Sequence, residues 1–597
     1  MRRLPLLIAP LALLVAPLAA QQPSAFPEPG DPPARVARVA YLEGSVSFQP
    51  SGDTTWSMAQ VNYPMTTGDR LYADQGGRAE LQLGRLTVRM WGTTDVTVSN
   101  LTDAFAQIGL AQGTLGVSIY EMAPGDYVEI DTPYGALQPL KTGEYRIDLL
   151  SDNRTMVVAA YRGTMQWVAG GVAQLVQGGQ AIRVSGVGPL RVARAPLPAT
   201  DAFNRWSASR DRDFAACGSA RYMSRDIPGC TDLDGGGTWE TGGEWGPVWY
   251  PRGVPVDWAP YRHGRWVWIE PWGWTWVERE AWGYAPFHYG RWVFVGNRWG
   301  WVPGVVVGRP YYAPALVVFV DGSGVHVGAQ GWFPLGPGEP YHPWYHGGDA
   351  YIRHVNAVTW GRMQNLPLTV SVTTIQYRNR RLATTVVPRT TFMSGLPISH
   401  RVITVSGDQS MRAPIAPHPI VMPGASAAGG GNRAPAPPQR RRPTFVVTPK
   451  PRPTPPVQPN RPIVVPRATP VPPAPRTQPA QTRPPVLITR EPPPPQQPPF
   501  PERQQAMQAD PGRPLDPQQI DNLRQGKPAG PARQPEQPTH VAAPTTPKAP
   551  ATPVTPAPGR RPEVAPRAPT NRKGPATQKQ PPARRDTTRV RKPGGPT

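Results

Sequence analysis

The sequence predicts an all-β fold: a β-sheet domain, then Trp/Gly-rich β-hairpin repeats, then a long disordered Pro-rich basic tail. Three observations carry this. Short runs of period-2 alternation fill residues 34–190, thirteen of the twenty tryptophans fall between Trp239 and Trp301, and 51 of the 84 prolines lie beyond residue 400. Period-2 alternation puts every second side chain on one sheet face, whereas proline-dense, tryptophan-free chain lacks the apolar mass for a core.

The chain opens with Arg2-Arg3 and an apolar run, Leu4–Ala20, broken by Pro5, Pro10 and Pro17. Basic start plus short apolar stretch is the pattern of a secretory signal peptide, expected over 1–20. A membrane-spanning helix wants about 20 unbroken apolar residues, and no later segment offers one, so the mature chain should have no transmembrane segment. The expected location is the periplasm or the exterior of a Gram-negative-type bacterium. A Pro-rich spacer covers 21–33.

Within 34–190 the alternation is explicit. Ala79, Leu81 and Leu83 share a face, as do Leu86, Val88 and Met90, then Val96 and Val98, then Leu115, Val117 and Ile119. Val128 and Ile130 follow, and Ile147 and Leu149 lead through the Ser151-Asp152-Asn153 turn to Met156–Val158. A turn near Leu101–Ile108 is the one place where helix competes. Asp95, Asp103 and Glu129 read as surface carboxylates. An ordered set of small motifs runs through the domain: Glu43-Gly44-Ser45-Val46, Thr67-Gly68-Asp69-Arg70-Leu71 and Gly77–Leu83, then Thr132-Pro133-Tyr134-Gly135, Gly143–Ile147, Tyr161–Met165 and Gly178–Ile182. This order resembles the FecR-domain family over about residues 36–184. The best-known members are periplasmic domains that sense an outer-membrane receptor and control a sigma factor. Those regulators carry a cytoplasmic sigma-binding segment and a membrane helix where this chain has a signal peptide, so sigma regulation does not transfer. What the resemblance implies is an extracytoplasmic all-β contact module.

Residues 191–238 read as a linker. Asp201–Asp213 suits a short helix with Phe203 and Trp206 on one side. Asp232-Leu233-Asp234 followed by Gly235–Gly237 invites a calcium reading, but Glu240 comes too early for a twelve-position loop and the glycines supply no ligands, so a turn is expected. Cys217 and Cys230, the only cysteines, either pair, as an oxidising compartment allows, or stay free. No Cys-x-x-Cys or Cys/His spacing supports a metal.

The repeats occupy 239–345. Pro260-Tyr261-Arg262-His263-Gly264-Arg265-Trp266-Val267-Trp268 returns as Pro286-Phe287-His288-Tyr289-Gly290-Arg291-Trp292-Val293-Phe294, and Trp272-Gly273-Trp274 is matched to Trp299-Gly300-Trp301. Trp245–Trp249 is a partial earlier copy. Such units bury an apolar face against a neighbour, and the prolines at their borders exclude a long helix, leaving small stacked β-hairpins. Two readings of the indoles stay open. They form an aromatic core, or Trp266, Trp268, Trp272, Trp274, Trp292, Trp299 and Trp301 form an exposed platform for sugars or peptides. The string from Trp258 to Phe294, with Gly331–Glu339, Tyr341–Tyr345, Tyr351-Ile352-Arg353 and Val387-Pro388-Arg389, resembles DUF6600, a bacterial family without an assigned activity, over about 220–400. Its C-terminal part would cover 346–410.

No catalytic residue is expected. Glu278 and Glu280 share a strand face in the manner of solvent-facing charges, not of a facing glycosidase pair. His263 and His288 are fourth and third in their copies, a slip that argues against a symmetric metal pair. Pro340 and Pro343 disfavour a helix bearing His342 and His346. No GxSxG, HExxH, P-loop or dinucleotide motif occurs, and no cofactor is implied.

The net charge of +23 resolves by position. Residues 401–597 hold 30 Lys or Arg against 9 Asp or Glu, whereas the first 400 hold 33 against 31. The basicity belongs to the tail, expected to be disordered over 411–597, with apolar clusters such as Phe445-Val446-Val447 and Ile463-Val464-Val465 too short for a core. Removing 424–597 should therefore leave the β domains folded. The expected partners are an envelope protein, a glycan or a cell-wall polymer, with anionic surfaces met by the tail and no nucleic acid. The expected role is non-catalytic binding or scaffolding in the envelope. A receptor-linked sensory component is the alternative, and a glycan or cell-wall hydrolase is a distant third.

Overall fold

A computed structural model describes residues 30–530 apart from 305–307, 358–371, 430–431, 435, 438–440, 452–462 and 466–483. The signal-peptide segment 1–20, the spacer up to residue 29 and the tail from 531 lie outside the described residues. The fold is mostly β, 37% strand and 18% helix, with an aromatic cluster over 249–351. The chain divides into two units, Met1–Pro538 and Thr539–Thr597, and every described residue belongs to the first. No helix among the described residues is long and apolar enough to cross a membrane.

The N-terminal sheet is built on one long hairpin, Leu86–Leu101 against Phe105–Ile119. Phe105 already lies in the strand, so the helical turn near Leu101–Ile108 is not formed; its Ala106, Ile108 and Leu110 alternate as strand residues and are fully buried. Tyr127–Thr132 pairs in parallel with Phe105–Gly109, and the other pairings within residues 37–195 are antiparallel. Val88, Met90, Val96, Val98, Leu115 and Ile147 fill the interior. At the Ser151–Asn153 turn, Asp152 accepts from the Arg154 and Thr155 amides while Asn153 adopts a left-handed φ of 51°.

The opposite, polar face is not open to water. The helix Ala202–Ala216, capped by Asp201 accepting from Asn204 N, lies across it. Arg89 and Arg210 both hold Glu80, at 2.8 Å, and Arg89 also pairs with Asp211 at 2.7 Å. Burial alone would raise the Glu80 carboxyl, but the two guanidiniums outweigh it and hold it at about 2. Asp95, Asp103 and Glu129 are therefore not surface carboxylates. Asp95 pairs with Arg70 at 2.6 Å, both fully buried; Asp103 accepts from Ala34 N; Glu129 lies beneath the tail.

The linker is more ordered than a linker. Cys217 and Cys230 form a disulfide with Cα atoms 6.2 Å apart. Asp232–Gly236, expected as a turn, belongs to the helix Cys230–Gly236. Its carboxylates are spent on protein partners: Asp234 accepts from Gly218 N and Ser219 N, and Asp232 pairs with Arg38. Arg38 is fully buried and bonds Asn62, Gln82 and the Ala281 carbonyl, while Asn62 reaches the Glu278 and Glu280 carbonyls. One buried guanidinium thus joins the N-terminal sheet, the linker and the aromatic body.

The disordered tail does not begin at 411. Thr444–Val447, Ile463–Val465 and Val486–Thr489 are strands added to the N-terminal sheet, the first two being the clusters judged too short for a core. They need no core of their own, because an existing sheet supplies backbone partners. Leu487, Phe500, Met507, Leu515 and Ile520 are buried. Each buried side chain of this kind contributes about 1.5–3 kcal/mol, so the expectation that 424–597 is dispensable is corrected. Truncation after Pro538 should leave the thermal midpoint within about a degree, whereas truncation after Pro423 should lower it by several degrees, read by circular dichroism.

Candidate functional site

The aromatic body repeats one local device three times. Its hairpins are Gly237–Gly243 with Gly246–Pro251, Gly264–Ile269 with Gly273–Glu278, and Arg291–Val295 with Arg298–Val302. Each opens with Gly-x-Trp (Gly237-Thr238-Trp239, Gly264-Arg265-Trp266, Gly290-Arg291-Trp292), and opposite that Trp stands a second one: Trp249, Trp276 or Trp301. The facing indole lies against the glycine. A Cβ on Gly237, Gly264 or Gly290 would meet that ring at 2.4, 2.7 or 2.6 Å and the next residue's carbonyl oxygen at 2.3 Å in all three. Glycine is required there because the ring occupies the space of a side chain.

The sequence match of Trp272-Gly273-Trp274 to Trp299-Gly300-Trp301 is not the structural one. Trp274 and Trp276 correspond to Trp299 and Trp301, since Trp268 faces Trp274 as Phe294 faces Trp299. Gly273 opens its strand with a left-handed φ of 73°, opposite Ile269, whereas Gly300 sits in mid-strand opposite Val293. The partial early copy is a full hairpin, whose first strand carries its own Gly-x-Trp. Nor do all three hairpins simply stack: the first and third join edge to edge through Trp249 and Trp301, and the second pairs with neither.

The exposed-platform reading is overturned by burial. Trp266, Trp268, Trp272, Trp274, Trp292, Trp299 and Trp301 are at most 7% exposed. Their rings meet edge to face, Trp266 with Trp276 and Trp268 with Trp274 both at 5.5 Å. A buried indole needs a partner for its N–H, and the body provides one for most of them, Trp266 Nε1 being buried without one among the described residues. Trp274 donates to Val421 O, Trp292 to Pro286 O and Trp301 to Tyr289 O, at 2.8–2.9 Å. Trp268 donates to Glu270 Oε1 at 3.1 Å, and Trp272 reaches Tyr351 Oη at 3.4 Å.

Glu278 does not face solvent either. It is 1% exposed, and its carboxylate accepts from Trp276 Nε1 at 3.0 Å and Arg279 N at 3.1 Å. Burial pushes its carboxyl up to about 7. Glu280, two residues past the strand end, is half-buried, and its charge adds to that rise. His288 is fully buried, with Nδ1 on Ala313 O at 2.8 Å and its pKa driven down to about 3 by burial, while His263 is partly exposed. The two histidines occupy different environments. Beside the second hairpin a cavity of about 380 Å³ is lined by Asp69, Glu270, Arg442 and Arg503 among others. Its charges are engaged. Glu270 pairs with Arg503 at 2.9 Å, and Arg442 donates to the Gly68 and Pro50 carbonyls. Asp69, raised by burial to about 6, accepts from Ser51 N and Thr66 N.

The N-terminal sheet also holds a segment of its own tail. On the outer face of the N-terminal sheet, Gln107 Nε2 donates to Thr489 Oγ1 at 2.8 Å and to Glu491 O at 2.7 Å. Glu129 Oε1 accepts from Thr489 Oγ1 and from Arg490 N, at 2.9 and 2.8 Å. Leu487 lies over Gly109, where a Cβ would come within 2.8 Å of its Cδ1. Burial, then the neighbouring Glu129, drives the Asp131 carboxyl well above its ordinary range. Composition hid this site, since Thr489 and Arg490 are ordinary tail residues.

Geometry defines a mostly β chain with an aromatic body and a strapped tail. That body coincides with the part of the chain that matches a known family: residues 230–339 match the family described as "Family of unknown function (DUF6600)". No curated protein matches the chain. Among solved structures, two crystal structures of a "putative anti-sigma factor" from Parabacteroides distasonis are similar at 12% identity and a TM-score of 0.19. The match covers 21% of this chain and 60% of each of those chains.

Two outcomes are expected. Gly264→Ala should cost about 1–3 kcal/mol in chemical denaturation, because neither ring nor carbonyl can retreat. Gly243→Ala, with open space around it, should stay within about 0.5 kcal/mol. For Glu278, the carboxyl rises from 4.5 in the unfolded chain to about 7 when folded, so its contribution is full below about pH 4.5 and declines as pH rises to about 7. That loss amounts to about 3 kcal/mol. His288 acts oppositely, costing stability as pH falls below 6.5, but is shared by wild type and variant. The difference between wild type and Glu278→Gln, followed by denaturation from pH 4.5 to 7.5, should carry the Glu278 slope alone.

Proposed function

We propose that the protein is a non-catalytic, exported envelope scaffold: a rigid β body that presents a basic C-terminal segment to anionic envelope material. The observation that carries this is the division of charge. The first 400 residues are nearly neutral, whereas 539–597 hold 12 Lys or Arg against 2 Asp or Glu. The disulfide between Cys217 and Cys230 fits an oxidising compartment. The inward indoles and the spent carboxylates of the body support a structural role over turnover. Anionic glycans, cell-wall polymers and lipid head groups are the counter-charges such a segment would meet outside the cytoplasm, each through many weak contacts.

The resemblance of residues 36–184 to FecR domains motivates a second reading, a receptor-linked sensory component. Recovery of one reproducible receptor from envelope extracts by the mature chain would favour it over a general tether. For the scaffold, the mature chain and a chain ending at Pro538 are to be compared on isolated envelopes at 50 and 150 mM salt, where screening lengths differ by about a factor of two. Full-length binding should drop at the higher salt, and the truncated chain should bind weakly at both. Equal, salt-insensitive binding by the two chains would contradict the proposal.

A further inference from the structure

The three tail strands share a sequence. Arg442-Pro443-Thr444-Phe445-Val446-Val447-Thr448-Pro449-Lys450, Arg461-Pro462-Ile463-Val464-Val465-Pro466-Arg467 and Arg483-Pro484-Pro485-Val486-Leu487-Ile488-Thr489-Arg490 each place an apolar triplet between Arg-Pro and a following cation. Every triplet falls on a strand. Triplets rich in β-branched and aromatic residues favour extended backbone, and proline, which lacks an N–H, limits each strand to a few residues. The repeat is one of strand-forming units.

The units also recognise one another. Thr444–Val447 pairs in parallel with Val486–Thr489, aligning Phe445 with Leu487, Val446 with Ile488 and Val447 with Thr489. Val486–Thr489 is seated on the body through Leu487, Thr489 and the Ile488–Thr132 bridge. Thr444–Val447, by contrast, pairs with no further strand among the described residues, and Val446 and Val447 are 43% and 50% exposed. An unpaired, apolar edge is a template for another strand. Here the edge is made of the very motif that it already binds on its other side.

We infer that this open edge is a self-association surface, on which an Arg-Pro-flanked apolar triplet from the tail of a second copy continues the motif-to-motif ladder. The spacing allows it. Fifteen residues separate Val447 from Ile463, and twenty separate Val465 from Val486. The flanking cations repel between copies, so association strengthens when salt screens them. That is opposite to the salt response of envelope binding, and the inference stands independently of the scaffold reading.

The test is sedimentation velocity on the mature full chain over a concentration series reaching the order of 100 μM, at 50 and 500 mM salt. The comparison is with the double variant Val446→Lys/Val447→Lys, whose altered side chains are already exposed. Wild type should shift to heavier species with concentration, more so at high salt, and excess synthetic peptide of residues 442–450 should return it to monomer. The variant should stay monomeric, with an unchanged circular dichroism melt. A wild-type chain that remains monomeric throughout, association undiminished in the variant, or indifference to the peptide would each overturn the inference. If the variant's melt shifts, the peptide arm on wild type decides alone.

Discussion

The aromatic body depends on one steric constraint: an indole must lie where a glycine has left room for it. In all three hairpins the glycine of Gly-x-Trp receives the ring of the facing tryptophan, and the following carbonyl closes over the same spot. This fixes which strand residues face each other, and so sets the register of each hairpin. It also lets backbone approach ring closely enough for Trp301 to bond the Tyr289 carbonyl, next to Gly290, at 2.8 Å. The indoles are then both the apolar filling and the polar fastening of the core. A region this rich in tryptophan can therefore be largely interior, with only Trp239 and Trp245 half-buried among the indoles of Trp239–Trp301, and the ligand platform that its composition suggests is unnecessary.

A second constraint follows from coverage of polar faces. A half-exposed sheet would leave Glu80, Arg89, Gln107, Glu129 and Asp131 in water. Instead the helix Ala202–Ala216 covers the first two and the tail strand Val486–Thr489 covers the rest. Burying a charge is costly unless it is paired. Glu80 meets that cost with two arginines, whereas at Asp131 burial and the neighbouring Glu129 push the carboxyl well above its ordinary range. The same logic operates at Arg38, whose guanidinium is satisfied only when the N-terminal sheet, Asp232 and the Ala281 carbonyl are all in place. Three stretches that look separate in sequence are therefore locked into one compact unit.

What was legible in the sequence was whatever depends on local period. Alternation located the strands around Val88, Val96 and Leu115, Asp201 and Phe203 marked their helix, and the 26-residue recurrence from Gly264 to Gly290 marked two hairpins. What was missed depends on coverage from afar. Nothing near Glu129 reveals that Thr489 and Arg490 will lie on it, 360 residues later. Asp95 looks exposed until Arg70 is placed beside it. Two signals were available and passed over. Gly237-Thr238-Trp239 repeats the Gly-x-Trp pattern, and Arg-Pro precedes the apolar triplet of each of the three tail strands. Composition averages erased both, because a short strand in proline-rich chain does not alter the mean.

The central claim is that the strapped tail and the aromatic body fold as one unit. Hydrogen–deuterium exchange on the intact chain, read by mass spectrometry at neutral pH, tests it most directly. Ladder hydrogen bonds in a cooperative unit open together. The amides of Val486–Thr489 should therefore be protected within about tenfold of those in Trp266–Trp268. Exchange of Val486–Thr489 at the rate of an unstructured peptide, beside a protected Trp266–Trp268, would contradict the account.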